Sequence, residues 1–390
     1  MHAIAGPRTR DPVRSCAVIA HASMRAWIDG VLAPLDEATP FPAQAYLDPD
    51  VLAFERRVIF DRSWVCVGHE EDVALPGAWV RTPFPRLVVT RGEDLSLHAL
   101  VDVCRHRGAT LLDGDRGRAA RFTCPYHGWI FEPSGALRSA PDTPRGFDRD
   151  AHGLCRARVA SHEGLLFVTR AEALEPLEDV PPPIARAGLA RLRIGHRACW
   201  ETGANWKLVV ENFQEAHHFP LVHPGLERWT PASRSSSFFG DGPWFGGEME
   251  LVDEAETVSL DGRQHARPFV APEEDRRKVH DAFCFPSLLL SVQPDYALSY
   301  RLFPIAVDRT RVDFTILFHP AAFSATFAPT DVIDHWERTN AEDRAICERQ
   351  QEGLSAGVNP ACYTRSEDGV HAFDRLVARR YLAGLVELAR

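Results

Sequence analysis

The apolar residues of this chain change from helical to strand-like spacing near Trp64. Residues 48–50, Asp-Pro-Asp, are typical of a helix start, and apolar residues recur at helical intervals from Val51 to Ile59. After Trp64, short apolar runs alternate with Gly, Pro and Asp, which is the pattern of short strands joined by turns. We therefore expect a leading helix followed by a small all-β domain.

Helical patterns return in the second half of the chain. Residues 172–185 are acidic and rich in proline, as in a linker between domains. Helical spacing then runs through residues 205–219, 330–352 and 368–389, around strand-like segments near residues 283–303. The patterns predict an α+β fold with an N-terminal extension, partly disordered, over residues 1–40, a β-rich domain with its leading helix over 41–171, and a larger domain over 172–390.

Composition and charge limit the partners and the compartment. A net charge of −10 gives no general attraction to nucleic acid or to anionic membranes. No apolar run approaches the roughly 18 residues that a membrane helix needs. Residues 1–23 are too interrupted for a secretory signal, Met24 is a plausible start, and scattered cysteines suit a reducing compartment. We expect a cytoplasmic protein with no nucleic-acid or membrane partner.

Four potential metal ligands lie in two short motifs. Cys104-x-His106 is followed, after seventeen residues, by Cys124-x-x-His127. A Rieske [2Fe–2S] cluster takes two cysteines on one iron and two histidines on the other, so two facing loops can serve both irons. The alternatives are a chance grouping and a structural zinc site, whose ligand pairs usually lie about two to four residues apart. The tight spacing of the first motif favours the cluster.

A second group of candidate ligands follows residue 205. Glu215 and His218 are three residues apart on a predicted helix, so they share a face, and His223 follows five residues later. Two histidines and a carboxylate form the facial triad of non-haem ferrous oxygenases, which leaves positions open for dioxygen. The histidine pair alone is a weak signal, and its spacing leaves His217 open as an alternative to His218.

Helical periodicity predicts the carboxylate ligand. At about 100° per residue, Asp343 lies only about 20° from the apolar Trp336 around the axis of the predicted helix over 330–352. Glu342 lies about 120° away, and the other acids of the helix are about as far from the apolar side. A single inward carboxylate needs a partner, for which iron is sufficient, and an arginine or a buried water network is the alternative. We expect Asp343 to bind the metal.

Three runs of residues are typical of one enzyme family. They are Cys-Pro-Tyr-His-Gly-Trp at 124–129, Glu-x-x-His-x4-His from Glu215, and Glu-Asp at 342–343 followed by Gln-x-Gly at 351–353. Over roughly residues 40–385 the chain resembles the α (oxygenase) subunits of Rieske non-haem iron oxygenases. The resemblance implies a small all-β Rieske domain and a catalytic domain with an antiparallel sheet flanked by helices, of the helix-grip type.

The resemblance also implies the cofactors and several residue roles. A [2Fe–2S] cluster would bind Cys104, His106, Cys124 and His127, and a mononuclear Fe(II) would bind His218, His223 and Asp343. Glu215 would bridge the cluster of one subunit and the iron of the next in a ring-shaped homotrimer. Asn212 is a further candidate catalytic residue.

Electrons must come from another protein. The chain has no Gly-x-Gly-x-x-Gly motif after a strand, so it is not expected to bind a nicotinamide itself. The resemblance implies an NAD(P)H-dependent flavin and iron–sulfur reductase, or a ferredoxin, as the electron donor. Dioxygen and a small organic molecule would be the substrates.

The sequence says less about the identity of the substrate than about the type of reaction. Glu215, the Gln-x-Gly at 351–353 and the run from Glu367 to Phe373 resemble the branch that oxidises quaternary ammonium compounds such as carnitine, glycine betaine or stachydrine. Residues 216–217, Ala-His, depart from the Cys-Tyr of that branch. The main expectation is hydroxylation or oxidative N-demethylation of such a compound. The alternatives are oxygenation or O-demethylation of an aromatic compound, an electron-transfer protein, and a zinc-stabilised binding module.

Overall fold

The computed structural model describes residues 21–172, 177–239 and 244–388. These residues form two seven-stranded antiparallel sheets and one three-stranded sheet, and the long helices pack beside the second large sheet. The predicted α+β class, with a small β-rich unit and a larger sheet flanked by helices, is confirmed. None of the helices in these ranges is both long and apolar enough to span a membrane.

The first large sheet is built from short strands, as the turn-rich sequence predicts. Its middle is apolar because Val and Leu predominate there, and Val89 and Leu100 are fully buried. Numbered in chain order, the strands lie side by side as β1 (Val65–His69), β10 (Leu165–Thr169), β9 (Arg156–His162), β4 (Leu97–Val101), β3 (Leu87–Arg91), β2 (Ala78–Arg81) and β5 (Arg116–Arg118).

The small sheet supports the two Cys/His motifs. The first motif begins just after β4, and the second lies between the first two strands of the small sheet. The buried rings of Phe122 and Phe131 hold this sheet against Leu100 and Trp79 of the larger one. Its strands are β6 (Phe122–Thr123), β7 (Ile130–Phe131) and β8 (Leu137–Ser139).

The second large sheet is buried on both faces in its middle. Side chains alternate across a strand, so Leu289 packs towards the helices, whereas Leu288 and Leu290 pack against Phe167 of the first sheet. In spatial order its strands are β11 (Arg193–Thr202), β17 (Arg309–Phe318), β16 (Tyr296–Ala306), β15 (Leu288–Val292), β14 (Lys278–Cys284), β13 (Trp244–Glu250) and β12 (Ser235–Phe239).

The first and last helices of the described chain pack against each other. The first helix lies inside the predicted N-terminal extension, where Met24 and Ile28 are buried and the helix packs on the last helix of the chain. The helices are α1 (His21–Leu32), α2 (Gln44–Leu47), α3 (Pro49–Val58), α4 (Pro182–Ala187), α5 (Trp206–Phe213), α6 (Phe219–Val222), α7 (Pro224–Glu227), α8 (Thr330–Leu354) and α9 (Asp368–Leu388).

The predicted leading helix is α3. Asp48 caps it by accepting a hydrogen bond from the backbone of Asp50 at 2.8 Å, and proline occupies its first turn. Of the predicted linker, residues 173–176 lie outside the described ranges, and α4 buries Ile184. Residues 1–20 also lie outside those ranges, and the domain limits stay predictions.

A buried ion pair fastens α3 to the start of α5. Lys207 Nζ lies 2.6 Å from Glu55 Oε1, and both side chains are fully buried. Trp206 Nε1 donates to the other carboxylate oxygen at 2.9 Å, and Lys207 also donates to the carbonyl of Ala45 at 2.9 Å. The hydroxyl of Tyr381 on α9 donates to Glu55 as well. One carboxylate therefore ties together three helices that are far apart in sequence.

Replacing Glu55 with glutamine should destabilise the fold strongly, because the ammonium of Lys207 would stay buried without its counter-charge. We expect a loss of about 3–5 kcal/mol in the free energy of unfolding, measured by urea denaturation. Glu387 pairs with Arg62 with about half of each side chain exposed, and Glu387→Gln should cost no more than about 1 kcal/mol. Equal losses in the two variants would show that the buried pair has no special role.

Candidate metal sites

The two Cys/His motifs form a matched pair of tight loops. The backbone N–H of Gly108 donates to the carbonyl of Cys104 at 3.1 Å, and that of Gly128 donates to the carbonyl of Cys124 at the same distance. Both glycines have positive φ, +79° and +69°, a conformation that other residues rarely adopt. Each loop therefore closes four residues after its cysteine, with the histidine inside the turn.

The loops separate their sulfur and nitrogen donors. Cys104 and Cys124 are almost fully buried, whereas His106 and His127 are exposed at the end of the unit. The two imidazole rings have centroids 4.6 Å apart, and the ring of His106 stacks on Trp129 at 5.0 Å with an interplanar angle of 5°. The donor set is thus a buried thiol pair beneath a surface imidazole pair.

This arrangement fits two metal ions better than one. A single tetrahedral zinc would hold four ligand atoms about 2.0–2.3 Å from itself, and so within about 4 Å of one another. Within the described ranges, the sets of three ligand atoms lying within 4.8 Å of one another include none of these four residues. A Rieske cluster, with sulfur donors on one iron and nitrogen donors on the other, matches the separation.

The second candidate group converges as one set. Ligand atoms of His218, His223 and Asp343 lie within 4.8 Å of one another. Asp343 Oδ1 lies 2.8 Å from His223 Nε2 and 3.7 Å from His218 Nε2. Two imidazoles and one carboxylate are the facial donor set of non-haem ferrous iron, and the chemistry of these donors fits that metal.

Local structure brings His218 and His223 together, although the helix before them ends earlier than we predicted. The helix α5 ends at Phe213, and Glu215 and His218 lie on the turn before α6 rather than on one helical face. Helix α6 begins at Phe219, directly after His218, with Pro220 in its first turn, and His223 follows its last residue. One short helical turn between the histidines leaves their ring centroids 5.0 Å apart.

Each of the three side chains is held by a second polar group. Glu215 Oε1 lies 2.5 Å from His218 Nδ1. Glu342 Oε2 lies 2.8 Å from His223 Nδ1. The amide of Asn212 donates to Asp343 Oδ1 at 2.6 Å. With their Nδ1 atoms bonded to carboxylates, both imidazoles turn Nε2 towards the point that Asp343 also faces.

Comparison with known proteins agrees with this pair of sites. The family described as Rieske [2Fe-2S] domain matches residues 63–162, and the ring hydroxylating alpha subunit (catalytic domain) matches residues 189–383. The chain belongs to the ring-hydroxylating oxygenase α-subunit family. It is a Rieske non-haem iron oxygenase, whose cofactors are a [2Fe–2S] cluster and a mononuclear iron.

Several named relatives are similar to this oxygenase over most of its length. The carnitine monooxygenase oxygenase subunit of Acinetobacter pittii is 33% identical, covering 89% of this chain and 96% of the relative. The glycine betaine monooxygenase oxygenase subunit of Chromohalobacter salexigens is 28% identical, covering 85% and 83%. The crystal structure of the quaternary ammonium Rieske monooxygenase CntA with an inhibitor has a TM-score of 0.78 and 25% identity, over 90% of this chain and 98% of that one. As an oxygenase subunit, the chain needs a reductase partner.

The converging group of His218, His223 and Asp343 opens into an apolar cavity. The space in the cavity and in the solvent at its open mouth amounts to about 880 Å³. Aromatic and aliphatic side chains from the inner face of the second large sheet and from α5 and α8 make up most of its wall. Examples are Phe213, Tyr300 and Trp336. A mostly apolar cavity with a few polar groups is typical of a site for a small organic molecule.

Hydrogen bonds within the group of His218, His223 and Asp343 shift the pKa values of its members. Burial alone would lower the pKa of His218, but hydrogen bonds with Asp343 and Glu215 outweigh burial and raise the pKa to about 9. Burial alone would raise the pKa of Asp343, but the bonds to His218 and His223 lower that pKa to about 2. Without a metal, a proton on the imidazoles neutralises the carboxylate, and a bound metal cation replaces that proton.

The sequence prediction missed Glu342. Periodicity directs its Cα–Cβ bond away from the apolar side of α8, and we expected Asp343 to be the only inward acid. The longer Glu342 side chain nevertheless reaches His223 from beside the cavity, because α6 and α7 lie along this flank of the helix. His217, the alternative to His218, is exposed and lies outside the converging group.

Replacing Glu342 with glutamine should weaken the binding of Fe(II) about 10–100-fold, because the carboxylate holds the His223 ring in its ligating orientation. Equilibrium dialysis of the iron-depleted protein would measure the change. Glu352→Gln on the same helix, where the glutamate is exposed, is the matched control. Unchanged iron affinity in the Glu342 variant would contradict the orienting role.

Proposed function

We propose that the cluster is held by Cys104, His106, Cys124 and His127, and that the iron is held by His218, His223 and Asp343. The convergence of two imidazoles and one carboxylate on a single point in an apolar cavity carries this proposal. The donor chemistry of each set supports its metal: mixed sulfur and nitrogen for the cluster, nitrogen and oxygen for ferrous iron. An electron carrier without an oxygenase site would have no use for the second set.

The protein supplies orientation and a dry environment. When bound, a ferrous ion with three protein ligands provides open positions for dioxygen and the power to oxidise a neighbouring C–H bond. Glu215 and Glu342 hold the two imidazoles, and Asn212 holds the carboxylate of Asp343. The apolar side chains of the cavity exclude water and position the substrate carbon close to the iron.

The substrate we propose is a small quaternary ammonium compound, which is hydroxylated or oxidatively N-demethylated. Relatives named for carnitine and glycine betaine support this class, as does the likeness to CntA. The aromatic rings of the cavity suit a methylated ammonium group, which is attracted to ring faces. An aromatic substrate is the second candidate, because most of the cavity wall is apolar.

The partners we propose are an NAD(P)H-dependent flavin and iron–sulfur reductase or a ferredoxin, and two further copies of this chain. The exposure of His106 and His127 supports electron entry and exit at that end of the Rieske domain. In a homotrimer, Glu215 would also accept a hydrogen bond from a cluster histidine of the neighbouring subunit. Eight free cysteines among the described residues suit a cytoplasmic setting.

Asp343→Ala should abolish turnover, because two imidazoles without the carboxylate cannot retain the iron. Purified wild-type chain should contain three irons and the variant two, with an unchanged cluster absorption spectrum. Product would be measured with a reductase, dioxygen and a panel of betaines and aromatic acids. Asp334→Ala, an exposed aspartate on the same helix, should behave as wild type. Full turnover by the Asp343 variant would refute the proposed iron site.

Glu215→Ala should separate metal binding from electron transfer. We expect the variant to keep both metals, although His218 loses its carboxylate partner, and to lose most of the rate at which a reduced cluster is reoxidised with substrate and dioxygen. Stopped-flow absorbance would follow the cluster, with exposed Glu254→Ala as the control. Reoxidation at the wild-type rate would remove Glu215 from the electron path.

A further inference from the structure

The cavity contains a carboxylate that the iron site does not use. Asp281 lies on β14 and lines the cavity, between Val279 and Phe283 along the same face of the strand. Its Oδ1 atom is buried and has no hydrogen-bond partner among the residues that the structure describes. Among the described residues, no cation shifts its pKa, which burial raises and a hydrogen bond with the Ser291 hydroxyl lowers.

The other two carboxylates of the cavity wall are already neutralised. Glu215 bonds to His218, and Asp343 bonds to both histidines of the metal-binding group. Asp281 is therefore the one carboxylate among the described wall residues that lacks a positive partner. An uncompensated charge in an apolar site is costly, so a polar group placed there without a partner points to a ligand.

The neighbours of Asp281 leave space beside it and hold it in place. Antiparallel pairing sets Gly247 on one side of Asp281 and Ser291 on the other, so these positions share one face of the sheet. Gly247 adds no side chain, and Gln293 donates to the Ser291 hydroxyl at 2.8 Å. The carboxylate is thus positioned by a short polar chain, while its other side faces the cavity.

The surroundings of Asp281 suit an organic cation. Burial raises the pKa of Asp281 to about 7, and the Ser291 hydroxyl opposes this only in part. A cation bound beside the carboxylate would favour its ionised form. The ring of Tyr300 lies in the same wall, and burial first, then the charges of Asp343 and Asp281, raise the pKa of its phenol. This ring therefore lies within electrostatic reach of both the iron site and Asp281.

A positive charge lies elsewhere on the wall. Arg344 follows Asp343 on α8 and lines the cavity, and within the described ranges its side chain has no ion-pair or hydrogen-bond partner. Apart from the metal-binding histidines, it supplies the cationic side chain of the described wall. A carboxylate at one place and a guanidinium at another match a molecule that carries both charges.

We infer that Asp281 binds the alkylammonium group of the substrate and that Arg344 binds a carboxylate of the same molecule, so the oxygenase selects a zwitterion. This inference rests on the proposed function and names what its cavity recognises. Asp281 is a substrate-binding residue here, and it takes no part in electron transfer or in holding the metals.

Two ligands of the same shape test whether the cavity recognises the positive charge of the substrate. Glycine betaine and 3,3-dimethylbutanoate share three methyl groups and a carboxylate, but a neutral carbon replaces the charged nitrogen in the second. We expect the anaerobic holoenzyme to bind glycine betaine at least ten-fold more tightly, as measured by calorimetry. Asp281→Asn should weaken betaine binding at least ten-fold and leave the binding of 3,3-dimethylbutanoate unchanged. Arg344→Gln should weaken the binding of both.

Asp253→Asn, the same change at a fully exposed side chain, is the matched control. Metal content and thermal unfolding of each variant show whether it is folded. Equal loss of both ligands in the Asp281 variant, or no loss, would overturn the inference, as would wild-type enzyme that does not prefer betaine. Failure of the proposed substrate class is a separate result: wild-type enzyme would then oxidise aromatic acids and no quaternary ammonium compound in the turnover assay.

Discussion

The active site depends on one contact between distant parts of the chain. The carboxylate of Asp343 on α8 meets the imidazole of His223, which is 120 residues earlier in sequence. The contact requires the end of α5 and the short helices after it to pack against the middle of α8. The buried pair of Glu55 and Lys207 anchors the start of α5 from the other side. Helix α5 therefore supports both the protein core and the converging group of His218, His223 and Asp343.

The two faces of the second large sheet pack against different parts of the protein. Alternating side chains place one apolar set against the Rieske half and another towards the helices, where the cavity lies. His218, His223 and Asp343 approach the cavity from the helical side together with Arg344, whereas Asp281 approaches from the sheet. A substrate held between helices and sheet would meet the candidate iron ligands and Arg344 on one side and Asp281 on the other.

The two candidate metal sites bring their donor side chains together in different ways. In the loops, glycine closes a tight turn directly after each donor pair, so the geometry is nearly local. In the candidate iron site, two of the donors flank the short helix α6 and the third lies on α8, and carboxylates from Glu215 and Glu342 orient the two imidazoles. Spacing alone predicts the four donors of the cluster, whereas the prediction of the three iron ligands also needs the periodicity of a separate helix.

The sequence alone determined the fold class, the enzyme family and its two cofactors, because the motifs and turn residues that indicate them lie in short runs of the sequence. It also indicated the inward direction of Asp343, since helical periodicity is a local property. Only the tertiary structure decided that α5 stops at Phe213, that Glu342 reaches His223, and that Asp281 has no cationic partner among the described residues. These facts depend on which strands and helices become neighbours, and contacts between residues far apart in sequence leave no periodic signal in either segment.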